Sequence, residues 1–285
     1  MDLDTVRNAL ASAGLTPLLP HLDALAWPAI RLTTTPADEA TLAVGVSKLG
    51  GQPDLPANTT WPEKQGAPLS FVAQVRLADA HPFDVTQSLQ STGLLSYFYD
   101  GQQATYGTDP ADRDGWRVFS FDAASGQLQR RPLPQALPAT ARFKPCTVAY
   151  SQILTLAQQP ALEIPGLSWT PDMQRTYEGA TSSLTDNPAG APQHQLLGHP
   201  NTLQDDMRIQ CQLAANGVSM ANAASDPRTA ALSAGAAGWR LLFQVDSDNR
   251  AGIRWPDSGM LYYWIERAAL ARHDVGNVWA VLQSE

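Results

Sequence analysis

Residues 238–266 read GWRLLFQVDSDNRAGIRWPDSGMLYYWIE, and the pattern of this stretch decides the fold. In its first part every second residue is apolar, which is typical of a strand with one face on a core. These apolar residues are Leu241, Phe243 and Val245. An aromatic run at 260–265 follows a turn-rich segment and predicts a second strand.

The chain contains a similar arrangement earlier. Residues 69–77 read LSFVAQVRL and residues 93–100 read GLLSYFYD, in the same order as the later strands and with similar spacing. Three pairs of positions align between the two parts: Gln74 with Gln244, Gly93 with Gly259, and Gly50 with Gly198. In this alignment His199 stands where the first part has Gly51. We therefore expect an internal duplication.

The order of these elements indicates the fold class. Alternating strands that are mostly joined by loops favour antiparallel sheets with helices on one side. We predict an α+β fold that is internally duplicated, with mainly antiparallel sheets, flanking helices and two halves related by a pseudo-twofold axis. We expect one compact unit in four parts: an N-terminal helical and strand lead-in (1–45), a first repeat (46–140), a connecting segment (141–190) and a second repeat (191–285).

Local patterns predict several further elements. Helical spacing and capping residues predict helices at 2–13, 172–184 and 266–273. Period-two patterns predict strands at 29–35, 41–46 and 116–121. Ser125-Gly126 is typical of a hairpin turn. Residues 147–156 fit either a strand or a helix.

The composition excludes some classes of protein. The chain has 285 residues, a formal net charge of −8 and no cluster of Lys and Arg, which argues against nucleic-acid binding. No apolar run reaches the roughly 20 residues of a membrane-spanning helix, so we expect no membrane partner. The acidic N-terminus lacks the features of a signal peptide, which favours a cytoplasmic protein. Cys146 and Cys211 lie outside any CxxC motif and are expected to be buried free thiols.

Polar residues on the aligned strands are the first candidates for a binding site. Gln74 and Arg76 share one strand face, and Gln244 and Asp246 share the aligned face in the second part. If the halves pack about a pseudo-twofold axis, these four side chains meet and line a polar groove for a peptide or small ligand. The alternative is a buried hydrogen-bonded pair of glutamines that fixes strand register.

No metal site or catalytic constellation is expected. Asp246, Asp248 and Asp257 have part of the spacing of a calcium-binding loop. Arg250 within that loop opposes a cation, so a solvated turn is predicted instead. The histidines are scattered and match no standard zinc spacing, although His199 is the one we would test first. We therefore predict no catalytic residue, no cofactor and no metal.

Aromatic residues allow two interpretations. Trp61 and Trp255 each precede a proline in corresponding loops, where they either cover the end of the core or form a rim for a partner. The strand aromatics alternate between the two faces of the sheet: Tyr97, Phe98, Tyr99, Tyr262, Tyr263 and Trp264. Half of them are expected to face the core, and the others either pack under helices or form a binding surface.

Several phrases of the sequence resemble the YwqG-like family, also called DUF1963. They are SKLGGQPDLP (47–56), PLSFVAQVRL (68–77), GLLSYFYD (93–100), LFQVDSD (242–248), WPDSGMLYYWI (255–265) and NVWAVL (277–282). The resemblance covers most of the chain and implies a bacterial cytosolic protein of unassigned function. It also implies that some relatives are encoded near secreted polymorphic toxins and their immunity proteins.

Two classes of function remain open. The first is a non-enzymatic protein-binding protein of the immunity type, which blocks a secreted-toxin domain or another protein through its acidic surface and loops. The alternative is an enzyme or small-ligand binder that uses a polar groove between the two repeats. The residues expected to contact a ligand or partner are Gln74, Arg76, Gln244, Asp246, His199, Trp61, Trp255 and Asp257.

Overall fold

The computed structural model describes residues 1–122, 128–188 and 190–284. The helices in these ranges are α1 (Leu3–Ser12), α2 (Leu22–Leu25), α3 (Leu77–Ala80), α4 (Pro160–Glu163), α5 (Pro171–Thr181), α6 (Arg208–Ala215), α7 (Thr229–Ser233) and α8 (Arg267–Ala271). The strands are β1 (Ala26–Pro36), β2 (Lys48–Leu49), β3 (Asp54–Pro56), β4 (Glu63–Lys64), β5 (Ala67–Pro68), β6 (Ser70–Arg76), β7 (Leu94–Tyr99), β8 (Trp116–Phe121), β9 (Leu128–Arg130), β10 (Cys146–Leu156), β11 (Gln195–Leu196), β12 (Trp239–Asp246), β13 (Met260–Glu266) and β14 (Trp279–Gln283).

One large antiparallel sheet organises the chain. Its strand order is β14-β13-β12-β11-β1-β10-β2-β6-β7-β8. The two longest strands, β1 and β10, pair at its centre, from Ala26 opposite Leu156 to Pro36 opposite Cys146. On either side, β11 pairs with β1 and β2 pairs with β10 over short stretches. The predicted α+β class with a mainly antiparallel sheet is confirmed.

The sheet curls until it is nearly closed into a barrel. Its two edge strands, β8 and β14, bring the rings of Trp116 and Trp279 to 4.8 Å in an edge-to-face arrangement. The indole Nε1 of Trp116 donates to the carbonyl of Val278, and the Nε1 of Trp279 donates to the carbonyl of Gly107. Each indole therefore buries its apolar body and satisfies its one donor across the closing edge.

The focal strands are buried on both faces. Leu241 to Val245 of β12 and Met260 to Ile265 of β13 are all buried, because a second layer covers the outer face of the sheet. All six strand aromatics are buried as well, which favours packing over a binding surface for those that face outward: Tyr97, Phe98, Tyr99, Tyr262, Tyr263 and Trp264. On the outer face, for example, Phe98 packs against Trp61 and Phe71. The outward half of these aromatics forms a packed layer.

A second apolar cluster lies under the N-terminal helices. The side chain of Asp2 caps α1 by accepting from the N–H of Thr5 at 2.8 Å, and Val6 and Leu10 bury one face of this helix. They pack with residues of α2 and α5 and with the end of β10, including Tyr177. This layer places α5 beside the outer face of the central strands.

The structure differs from the sequence predictions at several segments. Residues 41–46 contain no strand, and Val44 is exposed, because the alternation there belongs to a loop. Residues 147–156, which fit either a strand or a helix, belong to strand β10 at the centre of the sheet. The turn predicted at Ser125-Gly126 lies outside the described residues. Both cysteines are buried free thiols.

The closing edge of the sheet can be tested with Trp116→Ala. Trp116 is 1 % exposed, so truncation leaves a cavity and orphans the Val278 carbonyl, and we expect a loss of about 3–5 kcal/mol of unfolding free energy in urea titrations. Tyr106→Ala is the control, because Tyr106 is 43 % exposed and should change stability by less than about 1 kcal/mol. Equal losses for the two variants would contradict this closure.

Candidate functional site

A groove of about 530 Å³ lies over the outer face of the central strands, and we call it the open groove. Its floor consists of side chains from β1, β10 and β11: Arg31, Ile153, Thr155 and Gln195. Helix α5 and residues 184–187 form one wall, and residues 199–204 form the other. The volume lies within the range of small-molecule and peptide sites, and amides and hydroxyls dominate the lining.

The floor is fixed by hydrogen bonds to a tight turn. The chain turns at Leu197 and Gly198 with positive φ angles of 61° and 74°. A Cβ at Gly198 would lie 2.6 Å from the Ala29 Cβ, so only glycine fits there. The amide Nε2 of Gln195 donates to the carbonyls of Leu197 and His199 at 3.0 and 2.8 Å. Gln195 therefore holds the wall segment in place.

Arg31 provides the cationic group of the floor. Its Nη1 donates to the carbonyl of Asp186. Its buried Nε has no hydrogen-bond partner within the ranges that the structure describes. Burial lowers the pKa of Arg31, and the nearby Asp186 carboxylate partly offsets that effect. An unsatisfied donor at the floor of a polar groove favours a ligand that carries an acceptor.

Gln158 contacts the wall formed by residues 199–204 through the backbone of Thr202. Its Oε1 accepts from the backbone N–H of Thr202 at 3.0 Å, and its Nε2 donates to the Thr202 carbonyl at 3.3 Å. One side-chain amide thus satisfies both backbone groups of a single residue, as a peptide group on a neighbouring strand would. Gln158 itself is exposed.

The paired glutamines are both buried and hold loops. Gln74 accepts from the N–H of Asp54 and donates to the carbonyl of Val46, at 2.9 and 2.7 Å. Gln244 accepts from the N–H of Asn201 and donates to the carbonyl of Gln193, at the same distances. Each amide ties a loop to a central strand. The two glutamines do not bond one another, and neither lines the open groove.

Arg76 and Asp246 also lie apart from the glutamines and from each other. Arg76 is exposed and forms an ion pair with Asp79 at 2.6 Å. Asp246 accepts from the N–H of Gln193 at 2.8 Å, and burial raises its pKa. Among the described residues, no hydrogen bond or ion pair joins any two of the four predicted lining residues. The structure does not bring all four together into one groove: Gln244 and Asp246 both bond the backbone of Gln193, whereas Gln74 and Arg76 bond residues of the first half.

His199 lies at the inner end of the open groove with its ring buried. The ring stacks on Trp27 at 4.1 Å, and Nε2 donates to the carbonyl of Ala24 at 3.1 Å. The guanidinium of Arg240 also packs on Trp27, 4.8 Å from the ring centroid. Burial lowers the pKa of His199 to about 3, and the cations of Arg208 and Arg240 add to the effect. The ring is neutral and structural at physiological pH.

The remaining predicted contacts are not in the open groove. Trp255 is buried, with Nε1 donating to the Val245 carbonyl at 2.8 Å. Trp61 is half-buried and donates to the Leu69 carbonyl at 3.0 Å, so both tryptophans cover the core. Asp257 is exposed in a left-handed turn, with φ of 45°.

The loop after β12 is only partly solvated, because Asn249 and Arg250 are exposed but Asp248 is not. Asp248 is 2 % exposed and accepts from the Thr34 hydroxyl at 2.5 Å. Nδ1 of His194 accepts from the N–H of Asp246, so its Nε2 carries the proton and donates to Asp248 at 3.3 Å. Burial alone would raise the pKa of Asp248, but these hydrogen bonds lower it to about 2. Asp248 thus departs from the predicted solvated turn, because its partners Thr34 and His194 are distant in sequence.

The structure defines no metal site in the ranges described, where no three His, Cys, Asp or Glu side chains converge. In those same ranges, none of the helices has both the length and the apolar character needed to cross a bilayer.

Sequence reasoning missed most of the groove residues. Arg31, Gln158 and Thr202 carry its main polar contacts, and none of them belongs to a motif. One signal was available: glutamine and asparagine are frequent between 152 and 204, on both sides of the groove. Amides spaced along loops, rather than along one strand face, indicate where the chain presents hydrogen-bonding groups.

Fold and site together define a mixed α+β protein with a nearly closed antiparallel sheet and an open polar groove on its outer face. The sequence profile of DUF1963, a domain of unknown function, matches residues 47–284. This match covers most of the chain, so the protein belongs to the DUF1963 family. A search of curated proteins finds no match.

The neutral state of His199 has a measurable consequence for stability. The unfolded chain binds a proton near the ordinary pKa of 6.5, whereas the folded protein does so only near 3, so stability falls as the pH drops between these values. His199→Gln should reduce the loss of unfolding free energy between pH 7 and pH 4.5 by about 2 kcal/mol. Urea titrations at several pH values measure this difference.

The control for this experiment is His273→Gln, since His273 is exposed. It should leave the pH dependence of stability unchanged. A pH profile for His199→Gln that runs parallel to the wild-type profile would show that this ring is not the responsible group.

Proposed function

We propose that this protein is a non-enzymatic binding protein that takes a segment of another protein in the open groove. The observation that carries the proposal is the pairing of Gln158 with the backbone of Thr202 on the groove wall. The wall offers backbone hydrogen-bonding groups to an amide, and a polypeptide is a chain of amides.

The charges around the groove support binding rather than chemistry. Glu163, beside the inner end, pairs with Arg208 at 2.9 Å. Burial raises the pKa of Glu163, and Arg208 partly reverses this. The backbone carbonyl of Asp186 accepts a hydrogen bond from Arg31. These groups are held by neighbours, whereas the amides and hydroxyls of the lining are suited to recognising neutral peptide groups.

A more specific form of the proposal concerns the partner. We propose a protein partner of the secreted-toxin kind, which makes this chain an immunity-type protein. The net charge of −8 supports a basic partner, since opposite charge accelerates encounter. The resemblance to proteins encoded near toxins is the other support.

We also propose that the chain descends from a duplicated unit. The β6–β7 register shifts between Phe71 and Ala73, and the β12–β13 register shifts between Leu241 and Phe243. Bulges at aligned positions are features that duplication explains. The glutamine contacts described above repeat in the same way.

The strand pairings refine this alignment. Lys48 lies opposite Gln74, and Gln195 lies opposite Gln244. Lys48 therefore corresponds to Gln195, which places His199 at the position of Gln52. This is one position away from the sequence alignment, which had placed His199 at Gly51.

A small polar molecule is the second candidate ligand, and the groove volume of about 530 Å³ favours it. A thermal-shift screen separates the two candidates. The small-ligand alternative is supported if a compound raises the melting temperature of the wild type and no peptide is selected on it.

The test of the proposal is to block the groove. Thr181 of α5 lines the wall, and Thr181→Trp should fill the space. Short random peptides displayed on phage are selected on the wild type, and their affinities are measured by calorimetry. We expect Thr181→Trp to weaken binding at least about tenfold.

Arg175→Trp is the matched control on the same helix. The Arg175 side chain is 69 % exposed and lies outside the groove lining, so this variant should bind the peptides as the wild type does. Peptides that bind Thr181→Trp and wild type equally well would refute the groove as the site.

A further inference from the structure

The first half of the chain contains a closed counterpart of the open groove. There β3 pairs with β9, and Arg130 of β9 donates to Asp54 at 2.9 Å and lies 3.1 Å from Glu39. Lys48 completes the cluster with a 2.7 Å ion pair to Glu39. Lys48 and Asp54 are fully buried. We call these four charged residues the closed site.

Hydrogen bonds identify the residues of the open groove that occupy the same places. Gln74 accepts from the N–H of Asp54, and Gln244 accepts from the N–H of Asn201, so Asn201 stands at the position of Asp54. By the strand pairings given above, Gln195 stands at the position of Lys48.

The third correspondence concerns Glu39. Its Oε2 accepts from the N–H of Gln52 at 2.8 Å. In the open groove, the hydroxyl of Thr155 accepts from the N–H of His199 at 2.8 Å. Since His199 stands at the position of Gln52, Thr155 stands at the position of Glu39.

The two sites therefore share their geometry and differ in charge. Lys48, Asp54 and Glu39 of the closed site are replaced by neutral groups: Gln195, Asn201 and Thr155. Within the described part of the chain, no arginine donates to Asn201 as Arg130 donates to Asp54. The open groove thus has residues at the same positions as the closed site, but it lacks these charges and a strand equivalent to β9.

Gln158 takes the place of the missing strand. In the closed site, Leu55 follows Asp54 and lies opposite Gln129 of β9. In the open groove, Thr202 follows Asn201, and its backbone N–H and C=O bond the Gln158 side chain. No strand pairs with residues 201–203 among the residues described. An exposed side-chain amide therefore fills a position where the other half has a backbone amide.

We propose that the open groove binds an extended segment of a partner protein as an added antiparallel strand on residues 201–203. The segment displaces Gln158 and seats an uncharged polar side chain, such as Gln, Asn, Ser or Thr, beside Asn201 and Thr155. The proposal rests on the proposed function and specifies how the partner is held. The pairing of β3 with β9 is its template within the same chain.

The charges of the groove determine which side chain fits. A cation beside Asn201 would lack the two carboxylates that hold Arg130 and would face Arg31 on the same floor. A carboxylate would also lose its water, and the charge of Arg31 on that floor is already offset by the nearby Asp186 carboxylate. An uncharged amide or hydroxyl loses the least and can bond the side-chain amide of Asn201, because the N–H groups of Gln195 and the hydroxyl proton of Thr155 already bond backbone carbonyls.

N-methylation of a bound peptide tests strand addition. A peptide selected on the wild type, whose binding Thr181→Trp abolishes, is resynthesised with one backbone N-methyl group at each position in turn. An added strand directs alternate N–H groups at the protein. Because the N–H groups of Asn201 and Leu203 bond Gln244 and Gln283, the added strand bonds Thr202. We therefore expect affinity to fall at least about tenfold at the position whose N–H bonds the Thr202 carbonyl and to change little at the two neighbouring positions.

Gln158→Ala tests the displacement. Removing the internal amide frees the backbone of Thr202, so the peptide should bind about three- to tenfold more tightly. Gln152→Ala is the matched control, because Gln152 is exposed on β10, the strand that precedes Gln158, lies outside the groove lining and should leave the affinity unchanged.

Asn201→Asp tests the side-chain preference by restoring the charge of the closed site. Paired peptides carry Gln or Arg at the residue that faces Asn201. The ratio of their affinities should shift toward the Arg peptide by about tenfold in this variant. If Asn201→Asp retains the wild-type preference, the peptide side chain does not lie beside Asn201.

The outcomes separate this inference from the function on which it rests. Uniform tolerance of N-methyl groups, or weaker binding by Gln158→Ala, overturns strand addition even if Thr181→Trp abolishes binding. Peptide binding that Thr181→Trp leaves intact refutes the proposed function instead. N-methyl sensitivity at the position that bonds the Thr202 carbonyl, together with tighter binding by Gln158→Ala, supports the inference.

Discussion

The antiparallel pairing of β1 with β10 is the constraint on which the rest of the structure depends. It runs the full length of both strands, whereas β2 and β11 attach to their outer edges by short contacts. A slip of one residue would reverse the faces of both strands. Ile30 would leave the core, and the guanidinium of Arg31 would enter it unpaired. Burial of Ile30 and the hydrogen bond of Arg31 to Asp186 thus fix the register, and this register sets the floor of the groove.

The buried glutamines deliver the loops to that floor. A side-chain amide can bind one N–H and one C=O of a passing loop without introducing a charge. Gln74 and Gln244 do this at aligned positions, so the two loops reach comparable places. Whether a strand of the same chain occupies each site depends on the side chain that the loop places there. Asp54 retains Arg130 and hence β9, whereas Asn201 has no charge with which to hold an arginine.

Local patterns in the sequence predicted the focal strands but not the central pairing or the groove. Alternation along Leu241 to Val245 is a property of neighbouring residues, so it is visible in the sequence. The pairing of β1 with β10 is decided by contacts between residues far apart in the chain. The contact of Gln158 with Thr202 spans 44 positions. Gln74 and Gln244 do not contact one another for a related reason: each bonds the backbone of a loop beside its own strand.

The amide of Gln158 also bears on how a site of this kind discriminates between partners. It keeps the N–H and C=O of Thr202 hydrogen-bonded in the free protein, in an exposed part of the groove. Exchange of this amide for a peptide group replaces one pair of hydrogen bonds with another, so it adds little affinity by itself. Selectivity must then come from the side chain beside Asn201, because a charged group there loses water, a cation lacks the carboxylates of the closed site, and the Arg31 charge is already offset by Asp186. The absence of charge at Asn201 and Thr155 is therefore what restricts the partner.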